Sequence, residues 1–85
     1  MPLYVIERNL AEQLDPETLD QAGIKVVNDD VGVRWLYSFL SADKKKTYCL
    51  YEASNPDAIR EAAARLGFPA DVIVEVDQIG PAVVG

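Results

Sequence analysis

Read with a period of two, the chain sets Glu7, Glu52 and Glu75 beside the aromatics Trp35, Tyr37, Phe39 and Tyr48. Carboxylate oxygens and a phenol suit a hard divalent cation. They can also pass protons as general acid and base when apolar surroundings raise a carboxyl pKa. Glu7, Glu52 and Tyr37 are therefore the candidate catalytic groups, and Glu7, Tyr37, Glu52 and Glu75 the candidate metal ligands. Trp35, Phe39, Tyr48 and Leu50 are the candidate pocket lining. A plainer reading competes with each. The glutamates also fit rim carboxylates paired with Arg8, Arg34 or lysines, and aromatic residues dominate protein interfaces as readily as cavities. Cys49 alternates onto the opposite side and reads as a packed thiol. With no histidine in the chain, a Cys–His nucleophile is excluded.

Four strands must position these side chains. Leu3–Arg8, Val33–Leu40, Lys46–Glu52 and Val72–Ile79 are short, rich in β-branched and aromatic residues, and bounded by turn residues. Alternation assigns Val5, Glu7, Trp35, Tyr37, Phe39, Tyr48, Leu50, Glu52, Ile73 and Glu75 to one face. Tyr4, Ile6, Leu36, Leu40, Cys49, Tyr51, Val72, Val74 and Val76 fall on the other. Asp15 with Pro16 predicts a helix start near residue 16, carrying apolar residues at helical spacing to residue 28. Gly23 inside it implies either a very close neighbour or a weak helix. Asn55-Pro56-Asp57 opens a second helix to residue 66, with Ile59, Ala62, Ala63 and Leu66 on one side and Gly67 as its stop. Ala42–Lys45 is the tip of a hairpin.

The resulting order, β-α-β-β-α-β, predicts an α+β, ferredoxin-like domain: a four-stranded antiparallel sheet with both helices on one face. The aliphatic face then meets the helices, and the aromatic face has no cover from its own chain. A bare apolar face of that size marks a partner or ligand site, so a homodimer, closed as a dimeric α+β barrel, is expected. The boundaries are one domain over residues 1–80 and a short C-terminal tail over 81–85.

At 85 residues the chain supports one small core, and its net charge of −6 opposes a phosphate backbone or an anionic membrane. No apolar run approaches the roughly 18 residues of a membrane span. The opening MPLYVIERN has no signal-peptide pattern, which makes the cytoplasm the expected location.

Two runs, Gly32–Phe39 and Lys46–Ala53, together with Tyr4–Arg8, Ala58–Glu61 and Gly67–Asp71, resemble a small bacterial family of unknown function. Its described member is an actinobacterial nickel-binding protein with a dimeric ferredoxin-like fold. The resemblance spans Leu3 to Ile79 and implies that fold, a homodimer and a bound metal. Family members often carry histidine where this chain has Tyr37. The all-oxygen donor set here suits a harder cation than nickel. A metal-binding dimer is thus the expected function. The alternative is a cofactor-free enzyme of monooxygenase, isomerase or cyclase type, with a glutamate acid or base and a small hydrophobic ligand. No organic cofactor is indicated.

Overall fold

A computed structural model describes residues 1–80. The elements are β1 (Leu3–Asn9), α1 (Gln21–Val31), β2 (Arg34–Leu40), β3 (Lys46–Glu52), α2 (Pro56–Leu66) and β4 (Val72–Val76). They form one antiparallel sheet ordered β2-β3-β1-β4, with β1 and β3 at its centre. This is the expected β-α-β-β-α-β arrangement. The predicted tail over 81–85 lies outside the described residues.

The predicted helix from residue 16 is two pieces. Asp15 caps a single 3-10 turn, Pro16–Thr18, by accepting from the Glu17 N–H. The chain then extends at Leu19, and Asp20 caps α1 by accepting from the Gly23 N–H at 3.0 Å. Two acidic caps five residues apart define two starts. A β-carbon at Gly23 would run into that Asp20 carboxylate, so the glycine makes room for the helix's own cap. Gly32 and Gly67 close α1 and α2 at φ of 75° and 73°, the left-handed conformation that glycine adopts without strain.

The core lies between one sheet face and the helices. Tyr4, Ile6, Cys49 and Tyr51 meet Ile59 and Ala62 of α2, with Val33 and Ala53 completing the cluster. The alanines of α2 let its backbone approach the sheet. Ile6 and Ile59 are the largest side chains fully removed from water. Cys49 is a buried free thiol, as its parity implied.

Two strands depart from the expected parity. Trp35 pairs with Tyr51, yet Tyr37 pairs with Leu50, so Leu36 is an extra residue in a β-bulge. The bulge turns Trp35 to the helix side, where it packs against the core, while Tyr37 and Phe39 stay on the uncovered side. In β4, Ile73 pairs with Ile6 and Glu75 with Tyr4. Ile73 and Glu75 therefore belong to the helix-side face, and Val72, Val74 and Val76 to the uncovered one. β4 also stops at Val76 rather than Ile79.

Candidate functional site

Register arranges the uncovered face in three rows across the sheet. Phe39, Tyr48, Glu7 and Val72 form the first, and Tyr37, Leu50, Val5 and Val74 the second. Arg34, Glu52, Leu3 and Val76 form the third. The middle row carries no charge, and the outer rows each carry one carboxylate. Tyr37 and Phe39 meet edge to face, with ring centroids 5.5 Å apart.

Each carboxylate has a cation beside it. Lys46 Nζ lies 3.7 Å from Glu7, and Arg34 Nη1 lies 3.4 Å from Glu52. The two glutamates share a face but stand four residues apart along the β1–β3 ladder, about 13 Å at strand rise. Glu75 is on the other face, exposed at the sheet edge. One copy therefore does not gather Glu7, Tyr37, Glu52 and Glu75 into a single pocket. No cluster of three or more histidine, cysteine or acidic side chains occurs among the described residues. Of the residues expected to line a pocket, Phe39, Tyr48 and Leu50 lie on the uncovered face, and Trp35 does not.

The structure places Trp35 in a second location that parity alone had not revealed. Between the covered sheet face and the connector from β1 to α1 lies a cavity of about 80 Å³. Leu10, Leu14 and Leu19 of the connector line it, with Trp35 of β2 and Ile24 of α1. The connector is tied to the β2–β3 hairpin by Leu10 N–H to Lys45 O and Leu14 N–H to Lys44 O, both 2.8 Å. That hairpin holds its shape because Asp43 accepts from the Ser41 hydroxyl and the Lys45 N–H, which keep its carboxyl below the ordinary range.

Arg8 and Thr47 supply the polar end of the cavity. They are register partners on the covered face, and only 5% and 6% exposed. Arg8 Nη1 donates to Pro69 O at 2.6 Å. Its guanidinium carbon lies 5.9 Å from the Tyr51 ring centroid and 5.8 Å from that of Phe68, cation–π distances. Burial raises the Tyr51 phenol above its ordinary pKa, while the Arg8 charge pulls the other way. No described carboxylate pairs with Arg8. The Thr47 hydroxyl is buried without a hydrogen-bond partner. Sequence carried a trace of this site: arginine and threonine both fall on inward parity of the two central strands.

Fold and faces together define a small ferredoxin-like α+β domain with one bare sheet face. The family profile described as "Nickel responsive protein SCO4226-like" matches residues 4–76, and the chain belongs to that family. Among solved structures, the crystal structure of SCO4226 from Streptomyces coelicolor A3(2) has the same fold, with a TM-score of 0.78 at 22% sequence identity. The match covers 92% of this chain and 99% of that one. No curated protein matches the chain by sequence. No helix among the described residues is long and apolar enough to cross a membrane.

Proposed function

We propose that this protein is a homodimeric member of the nickel-response family that binds a divalent cation through oxygen donors on its uncovered sheet face. The observation that carries the reading is family membership over residues 4–76. The bare face supports the dimer, since Tyr37, Phe39, Tyr48, Val72 and Val74 are all substantially exposed. Within one copy the donors are too dispersed to hold an ion. Two faces stacked about a two-fold axis in their common plane would place two carboxylates at each end of the contact. Glu7 and Glu52, with Tyr37 in the middle row on the edge strand β2, are then the ligands available. Such a set favours manganese- or magnesium-like ions over nickel, which gains from imidazole.

An acid–base enzyme is the weaker reading. Both glutamates keep about a third of their side-chain surface in water, at 33% and 27%, with a cation alongside. Neither is the desolvated carboxyl that such chemistry calls for.

Elemental analysis of protein purified without an affinity tag, followed by calorimetric titration with Ni2+, Mn2+ and Mg2+, tests the proposal. Saturable binding of one ion, weakened at least about tenfold in Glu7→Gln or Glu52→Gln, is expected. Substoichiometric metal and no heat with any of the three ions would remove it. Light scattering on the same samples tests the dimer.

A further inference from the structure

The uncovered face does not account for Arg8. A guanidinium taken out of water costs several kcal/mol unless it is paired and fully hydrogen-bonded. This one has five N–H donors and a backbone carbonyl, two aromatic faces and no described carboxylate around it. Had Arg8 served only to hold the Pro69 turn, the cavity beside it would gain nothing from a second buried polar group. Thr47 stands directly across the ladder, its hydroxyl buried and unsatisfied. Ser38 also lines the cavity; its oxygen accepts from Trp35 Nε1 at 2.8 Å, which leaves its own proton to donate. Three donors therefore border one space whose remaining walls are chiefly leucine and aromatic rings.

We propose that this cavity binds a short-chain organic monocarboxylate, its anionic head at Arg8 and Thr47 and its apolar chain against Leu14, Leu19 and Trp35. The carboxylate accepts from the guanidinium and the threonine hydroxyl, so the arginine charge gains a counter-charge and the unpartnered hydroxyl an acceptor in one step. A neutral ligand leaves the arginine charge unanswered, and a cation is repelled by it. Size sets the chain length. A water needs about 10–15 Å³ of such space, so 80 Å³ holds about five to eight groups of that size, a carboxylate head and at most about five further carbons. The site lies on the opposite side of the sheet from the proposed metal ligands. It does not depend on a bound metal.

Trp35 is the single tryptophan of the chain and lines the cavity, so its emission reports occupancy directly. The test is titration of the full chain, in the presence of a chelator, with hexanoate, hexan-1-ol and hexylamine at matched ionic strength. Hexanoate is expected to give a saturable change in Trp35 emission, with hexanol at least about tenfold weaker and hexylamine inactive. Thr47→Val keeps shape and removes a hydroxyl that has no partner, so it should fold normally and bind hexanoate about three- to tenfold more weakly. Arg8→Lys keeps the charge and loses the fork, and should weaken it further. Three results would overturn the proposal: hexanol matching hexanoate, no saturation below about 10 mM, or unchanged hexanoate affinity in both variants. Calorimetric loss of metal binding would leave it untouched, so the two readings fail separately.

Discussion

On the helix side of the sheet, Tyr4, Ile6, Cys49 and Tyr51 are at most 7% exposed, whereas Tyr37, Phe39, Tyr48, Val72 and Val74 on the other side are 39–65% exposed. Both faces are apolar, and neither differs much in residue type. The difference is cover. Two helices supply it on one side, and no further element among the described residues covers the other. The covered face buries its apolar surface in folding a small domain, and the bare face leaves its apolar surface in water. Polar residues follow the opposite pattern. On the bare face they stand at the two ends, paired with cations and reaching water. On the covered face Arg8 sits inside with no described carboxylate beside it, and the Thr47 hydroxyl with no hydrogen-bond partner.

The largest test of this contrast compares Ile59→Ala with Phe39→Ser. Ile59 is 1% exposed and Phe39 is 65% exposed. Urea denaturation at low protein concentration should show a loss of about 2–5 kcal/mol for the first and about 0.5 kcal/mol or less for the second. Equal losses would mean that the bare face is part of the single-chain core.

Assembly gives the second test. Replacing both Tyr37 and Phe39 by aspartate should halve the mass measured by light scattering while leaving the circular dichroism of the fold in place. Trp35→Asp is a different experiment. Because the bulge turns Trp35 inward, that change should unfold the chain rather than separate two copies. A soluble, folded Trp35→Asp monomer would contradict the bulge.

A smaller effect appears in alkali. The Tyr51 phenol is raised above 10.0 chiefly by burial. As pH passes 10 the unfolded tyrosine loses its proton while the folded one keeps it, so the native state binds more protons and stability falls as pH rises. Below pH 10 this contribution is fully present. The urea midpoint of the native protein should therefore drop above pH 10 more steeply than that of Tyr51→Phe.

The smallest expected effect is at the rim. Arg34 is 74% exposed in its pair with Glu52, so Arg34→Ala should cost no more than about 0–1 kcal/mol, with the difference vanishing in high salt. A larger, salt-resistant loss would show that this end of the face is buried by a second copy.

Legibility in the sequence followed the sharpness of each strand's pattern. β1 and β3 are central, and their two faces meet different surroundings, so alternation assigns Tyr4, Val5, Ile6 and Glu7, and Tyr48 through Glu52, to their observed sides. Arg8, expected beside the glutamates, is instead buried on the covered face. Val72–Val76 is apolar at four of five positions, and such a run does not specify its own parity. Glu75 is tolerated on the helix side because it stands on an edge strand, where that side still reaches water. β2 has clear alternation, but a bulge shifts parity by one residue without any glycine or proline to announce it.

The sequence by itself determined the element order, the caps of α2, the two-faced sheet and the bare aromatic surface, because each follows from local spacing and capping chemistry. Only the tertiary structure decided that Trp35 points inward, that Glu75 leaves the candidate site, and that Glu7 and Glu52 stand at opposite ends of one face. It alone folded the leucines of the β1–α1 connector over Arg8 and Thr47. Those outcomes depend on strand register and on a connector tied to a distant hairpin, contacts between residues far apart in the chain that no local period encodes.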